Sequence, residues 1–241
     1  MKSSVSDSEC GYNRKGISRK EIANGYDKIA DKIFMSDKFY QTCIKIAGKI
    51  EGNIIDIGCG QGFLLEKILK KFKINLAAGI DISPQLCSIA VNRIPNATIL
   101  NLDAEDIDTK FNESLFDFVF MTEVLEHLLD PWKVLIKVSK ILRPNGKLIL
   151  TVPNRDWFGY EKYKVSRKVF QPVDDHFYKI GEIKKLLEQS NFQIEKIRGE
   201  EILFHSSGVV RKMDKVLLLL FPILNRKMKR LIILARNKKK V

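Results

Sequence analysis

The chain has 241 residues, 45% of them hydrophobic, and a formal net charge of +13. That length fits one large domain, or one domain with a small appendage, and the apolar fraction is ordinary for a globular protein. Cys10, Cys43, Cys59 and Cys87 lie far apart with no C-x-x-C pair, which argues for a reducing compartment and against a zinc cluster. Residues 1–16 are polar and carry no apolar core, so no secretory signal is expected there and a cytoplasmic protein is.

Residues 1–20 read as a mobile arm, and residues 21–241 as a single domain. Over residues 21–50 apolar side chains recur at helical spacing (Ile22, Tyr26, Ile29, Ile33, then Tyr40, Ile44, Ala47), with Ser36 as the N-cap between two helices. The stretch Ile54–Lys67 follows. Ile54, Ile55 and Ile57 have the β-branched character of a buried strand. Gly58, Gly60 and Gly62 form a turn against which a ligand can lie on bare peptide, and Phe63, Leu64, Leu65, Ile68 and Leu69 open a helix. Asp56, just ahead of the glycines, would repel a pyrophosphate and welcome an ammonium or sulfonium.

Strands and helices then alternate. A second strand, Ala77–Asp81, ends in an acid about 20 residues beyond the glycines, where such folds hold ribose hydroxyls. Ser83 and Pro84 open the next helix. A third strand, Ala97–Leu102, ends in Asp103-Ala104, and a fourth, Phe116–Met121, ends in Thr122-Glu123. Asp130-Pro131 starts a helix to about Leu142, and Pro144-Asn145-Gly146 turns into a fifth strand, Lys147–Val152. Residues 153–175 lack a clear period and are rich in aromatics, which suits a substrate lid. Ile180–Gln189 is a helix, Phe192–Phe204 contains a sixth strand, and Arg230–Ala235 is the last strand, with a basic tail from Asn237.

The charge is uneven. Val209–Val241 holds eleven Lys or Arg against the single acid Asp214, so ten of the thirteen net positive charges lie there. Inside it, Val216–Leu224 is an apolar run far shorter than the ~20 residues of a membrane span. An apolar helix with basic ends suits an interfacial element on an anionic membrane surface, or a cap over a pocket within an apolar and basic insertion at 205–228. RNA is the lesser alternative, because the charge sits beside a greasy helix rather than along an open groove.

DIGCGQG, GIDIS, LDAEDI, FDFVFMTEVLEHLLDP and ILRPNGKLILTVPN, in this order and spacing, resemble the class I S-adenosylmethionine (SAM)-dependent methyltransferases over roughly residues 26–196. The resemblance implies an α/β, Rossmann-like, doubly wound seven-stranded sheet, mostly parallel with an antiparallel last strand. It implies that Asp56, Gly58, Cys59, Gly60 and Gly62 cradle the methionine part of SAM. Asp81 would bind both ribose hydroxyls and Ile82 would pack on the adenine. Asp103 and Ala104 would meet the adenine amino edge, and Met121 to Glu123 would floor the site beside the methyl group. In similar enzymes the N-terminal helices cover the cofactor and a tyrosine often reaches it, which makes Tyr26 a candidate.

Glu123, Glu126 and His127 are spaced three and four apart, which on a helix would place them on one face. With His176 they resemble the metal-using ubiquinone-biosynthesis O-methyltransferases and the methyltransferases of small-RNA 3′ ends, which implies Mg²⁺ or another divalent metal on Glu123, Glu126, His127 and His176. Metal-free relatives offer the alternative in which Glu123 lies by the cofactor, Glu126 is a helix-surface acid and His127 is a base or a packed side chain, with His176 a further candidate base, or in which these residues are structural. His205 reads as structural. The expected activity is methylation, O-directed, of a small-molecule, lipid-linked or glycan-linked acceptor. The alternatives are an RNA methyltransferase and a non-catalytic SAM-binding protein.

Overall fold

The computed structural model describes residues 17–32, 35–161, 176–200 and 227–239. Residues 1–16 of the expected arm, residues 162–175 of the expected lid, residues 201–204 of the expected sixth strand, and residues 205–226 of the expected insertion lie outside the described residues.

A seven-stranded sheet forms the frame, in the order β3-β2-β1-β4-β5-β7-β6. The strands are β1 (Asn53–Ile57), β2 (Leu76–Asp81), β3 (Thr98–Asn101), β4 (Phe116–Thr122), β5 (Leu142–Pro153), β6 (Phe192–Glu200) and β7 (Arg230–Asn237). The pairs β1–β2, β1–β4, β2–β3 and β4–β5 are parallel. β7 runs antiparallel to both β5 and β6, so it alone reverses direction. The helices are α1 (Arg19–Asp27), α2 (Asp37–Ala47), α3 (Phe63–Lys71), α4 (Pro84–Arg93), α5 (Pro131–Ile141) and α6 (Ile180–Gln189).

Alternation along the strands sends side chains into two cores. On one face Ile54, Phe118, Phe120, Ile149, Ile232 and Leu234 pack with Phe39 and Cys43 of α2 and Leu64, Leu65 and Ile68 of α3. On the other, Ile55, Ile57, Val119, Met121, Leu148 and Ile233 pack with Val134, Leu135 and Val138 of α5 and Ile183 and Leu187 of α6. The sheet is therefore covered on both sides, and the expected doubly wound architecture is observed. Every parallel strand end points toward one edge, where β1 and β4 are neighbours while the chain passes outward through β2 and β3. A ligand crevice opens at such a reversal of strand order.

Several boundaries differ from expectation. α1 starts at Arg19, inside the expected arm 1–20, because Ser18 and Glu21 form a capping box. β3 is shorter than Ala97–Leu102. β5 begins at Leu142, directly after α5, because Pro144-Asn145-Gly146 is a bulge within the strand rather than a turn before it. Phe116 pairs with Leu142 and Phe118 already with Lys147, so a single residue of β4, Asp117, stands opposite the bulge. Asp117 fills the gap by accepting from Arg143 Nη1 at 2.7 and 2.8 Å and from the Asn53 backbone N–H at 2.7 Å. β7 runs on to Asn237, where a free basic tail was expected. Asn237 is fully buried, and its Nδ2 donates to the carbonyls of Ser139 at 2.8 Å and of Leu142 and Arg143 at 3.2 Å.

Asn237 ties the end of β7 to the α5–β5 junction. Asn237→Ala is expected to lower stability by about 2–3 kcal/mol, since it leaves buried carbonyls without donors. Urea unfolding of both proteins measures the difference.

Candidate functional site

The glycine turn after β1 is built by backbone bonds to β2. The N–H groups of Gly58 and Cys59 both donate to the Ile80 carbonyl, at 2.8 and 2.9 Å. Gly58 sits at φ 70°, and a Cβ there would stand 2.2 Å from Val124 Cγ2. Gly60 sits at φ 53°, and its missing Cβ would point into open space beside the cavity. Only glycine meets both demands, a left-handed backbone and bare peptide facing a ligand.

Asp81, at the end of β2, closes this turn. Its Oδ2 accepts from the Gly60 N–H and its Oδ1 from the Ser83 N–H, both at 2.9 Å. Ser83 in turn caps α4, accepting from the Leu86 N–H at 3.0 Å. The N-terminal helices close over the turn. The Asp27 carboxylate accepts from Ser83 Oγ and from the Gln85 N–H, and Gln61 Nε2 donates to the Ala30 carbonyl at 2.8 Å. Asp103 caps the 3-10 segment Ala104–Thr109 by accepting from the Glu105 N–H at 2.9 Å, and it pairs with Arg19 of α1 at 3.3 Å. Arg19 also meets Glu105 and Asp106.

These pieces enclose one cavity. Asp56, Gly58, Cys59, Gly60, Asp81, Ile82, Asp103, Ala104, Glu123 and His127 all line it, together with Tyr26. Met121, Gly62, Glu126 and His176 are not among its lining residues. Met121 is fully buried in the core on the α5 side. Gly62 caps α3 in the left-handed region, at φ 82°.

The expectation of one helical face carrying Glu123, Glu126 and His127 is corrected. Glu123 itself is left-handed, at φ 56°, and only Leu125–His127 form a short 3-10 turn. The left-handed residue breaks the helical path, so Glu123 turns away from the other two. Its Oε1 accepts from Thr151 Oγ1 at 2.8 Å and its Oε2 from Arg230 Nε at 2.7 Å. His127 faces the cavity, its ring 6.2 Å from that of Tyr26 in an edge-on arrangement. Glu126, expected as a helix-surface acid in the metal-free reading, is instead buried in the 3-10 turn, and its backbone carbonyl accepts from the His176 N–H at 3.1 Å. His176 thus docks on the turn through its backbone, with its ring 4.5 Å from that of Tyr178. Among the described residues no group of three or more His, Cys, Asp or Glu side chains is arranged to hold a metal ion.

Sequence reasoning missed Arg230 and the wall formed by Met35, Tyr40 and Phe63. Tyr40 stacks near Phe63, its hydroxyl accepts from the Met35 N–H at 3.3 Å, and burial pushes its hydroxyl up to about 12. The aromatic spacing of Tyr40 and Phe63 carried no signal beyond helix packing. Arg230 belonged to a run of basic residues in which nothing set it apart.

A family model described as "Methyltransferase domain" matches residues 26–197. The ubiquinone biosynthesis O-methyltransferase of Coxiella burnetii is 30% identical over 125 residues, 51% of this chain and 51% of that protein. The chain therefore spans about half the length of that curated relative. An uncharacterized protein of Methanocaldococcus jannaschii is 29% identical over 201 residues, 81% of this chain and 88% of that one. Among solved structures, a SAM-dependent methyltransferase of Thermotoga maritima superposes with a TM-score of 0.64 at 17% identity, covering 90% of this chain and all of that one, a likeness of fold. The chain belongs to the class I SAM-dependent methyltransferase family.

The methyltransferase domain fits the cofactor of its family on a point of chemistry. Asp56 is buried, and its Oδ1 has no hydrogen-bond partner among the described residues. A buried, unpaired carboxylate oxygen is costly, and a cation placed against it removes the cost. SAM carries both an ammonium and a sulfonium. Burial, and then the neighbouring Asp81 carboxylate, hold the Asp56 carboxyl well above the usual carboxylate range. Burial also raises Asp81, opposed by its bonds from the Ser83 and Gly60 N–H groups. In both cases the folded state keeps a proton that the unfolded chain has already lost. The ligand-free fold therefore loses stability as pH rises from the ordinary carboxylate range through the raised values.

Asp81→Ala removes two charge-assisted bonds that shape the turn. It is expected to weaken SAM binding by about 100-fold or more while the fold persists. Calorimetric titration with SAM, alongside a circular dichroism melt, checks both halves of the statement.

Proposed function

We propose that this methyltransferase domain transfers a methyl group from SAM to an oxygen of a small-molecule or lipid-linked acceptor, with His127 as the base. The observation that carries the reading is the placement of His127 on the same cavity as the unpaired Asp56 oxygen and the Asp81-bound glycine turn. When bound, SAM supplies an electrophilic methyl carbon on a positively charged sulfur.

The chain's own residues do the rest. Asp56 and Asp81 draw the positive ligand into the turn. Ile82, Leu86 and Leu102 give that side of the cavity an apolar wall, while Met35, Tyr40, Phe63 and Leu128 line other parts and keep water out. His127 is 7% exposed and reaches the cavity from a fixed 3-10 turn, as a base for an acceptor hydroxyl must. Tyr26 lies against its ring and limits its rotation. Glu126 and His176 support the turn from behind, through the backbone bond between them.

Oxygen as the target is supported by the name of the Coxiella burnetii relative, an O-methyltransferase. Glu123 is left-handed and tied to Thr151 and Arg230, turned from Glu126 and His127, which favours the metal-free base over a metal on the expected set. The concentration of ten net positive charges in residues 209–241 supports contact with an anionic membrane surface, where a lipid-linked acceptor would be met. No described helix is long and apolar enough to cross a membrane.

Purified protein incubated with methyl-labelled SAM and cell extract, with and without a chelator, tests the reading. Label is expected in organic-soluble or small-molecule fractions, unaffected by chelation. Label confined to RNA, no label anywhere, or loss on chelation would each contradict a named part of it. His127→Ala is expected to lower transfer by about 10²–10⁴-fold with SAM affinity unchanged.

A further inference from the structure

Glu123 is gripped from two other strands. It stands in the left-handed region at φ 56°, a conformation that side chains disfavour and that persists only where surrounding contacts fix it. Thr151 of β5, fully buried, donates its hydroxyl to Oε1 at 2.8 Å and accepts from the Glu123 N–H at 2.9 Å. Arg230, the first residue of β7, donates Nε to Oε2 at 2.7 Å. The Glu123 and Arg230 side chains are only 20% and 16% exposed, so solvent screens this pair far less than a surface ion pair. Phe39 of α2 lies beside the guanidinium, 5.9 Å from its carbon, and limits where it can swing.

Both members of the pair line the cavity, and Arg230 is the only Lys or Arg among its described lining residues. A carboxylate has about four acceptor positions, and these two bonds occupy one on each oxygen. Asp56 lines the same cavity with an oxygen lacking a partner. A bound ammonium brings three donors, more than one carboxylate oxygen can meet.

We propose that Arg230 is a positioning residue. With Thr151 it fixes the Glu123 carboxylate against the cavity, so that Glu123 accepts a hydrogen bond from the ammonium group of SAM while Asp56 neutralises the positive charge. Arg230 acts through Glu123 and does not itself hold the ligand. This inference rests on the proposed use of SAM. It also explains why the last strand, far from the glycine turn in sequence, begins with an arginine at this edge.

The test is a double-mutant cycle read in SAM affinity by calorimetry on the full chain. Glu123→Gln and Arg230→Met are each expected to weaken SAM binding about tenfold, and the double variant no more than the weaker single one. Arg230→Lys is expected to recover part of the loss. Additive losses, about 100-fold in the double variant, would show that Arg230 contacts the ligand independently and would overturn the proposal. An unchanged affinity in Arg230→Met would overturn it too, leaving a purely structural pair. Should Arg230→Met fail to fold in a thermal melt, Thr151→Val against Thr151→Ser gives the same reading. The serine variant keeps the hydroxyl and the affinity, whereas equal affinity in both would contradict the proposal. Failure of the unaltered protein to bind SAM at all would strike the proposed function itself, and is distinguishable from every outcome of the cycle.

Discussion

The bond between the Asp81 carboxylate and the Gly60 N–H fastens the ligand turn to the sheet. It joins the end of β2 to the turn leaving β1, adding a side-chain tie to the backbone bonds from Gly58 and Cys59 to Ile80. The same carboxylate holds Ser83, and Ser83 caps α4 and receives Asp27 from the N-terminal helix. One acid thus sets the turn, a helix start and the cover over the cavity. A carboxylate so used is buried and raised, and it lifts its neighbour Asp56 further. The site stores an electrostatic penalty that a cationic ligand relieves.

Around that point the sheet supplies rigidity. β1 and β4 are covered on both faces and carry Asp56 and Glu123 at or just past their ends. β5 and β7 bring Thr151 and Arg230 to the same edge from the other half of the sheet. The cavity is therefore a product of both halves. Its glycine-turn side holds the unpaired Asp56 oxygen, and its far side holds the Glu123–Arg230 ion pair.

Much of this was legible in the sequence, for a physical reason. Parallel strands buried on both faces must be apolar throughout, so an acid at a strand end stands out. Asp56 and Asp81 were visible on that ground, Asp103 only by its place just past the exposed edge strand β3, and the alternating glycines marked the turn. Helix caps such as Ser36 and Ser83 announce themselves by the same local chemistry. Other features were hidden because they depend on contacts between distant segments. Arg230 gains its meaning from Glu123, 107 residues away. The bulge at Pro144–Gly146 reads locally as a turn, and only its pairing with β4 around Asp117 shows that the strand runs through it. The segment Glu123–His127 has helical spacing but no helix, because the left-handed Glu123 interrupts it. Spacing alone cannot report a residue whose backbone is fixed by Thr151 on another strand.

Burial and the Asp81 carboxylate raise the Asp56 carboxyl in the ligand-free fold, and a cation against its unpaired oxygen favours the charged form. We would measure SAM affinity by calorimetry between pH 5 and 8. The carboxylate binds the cation, so affinity should rise with pH, with a proton released on binding, and Asp56→Asn should lower the affinity and flatten the slope, leaving only the share that belongs to Asp81. An affinity that is flat or falls with rising pH, or a slope unchanged in Asp56→Asn, would contradict the account.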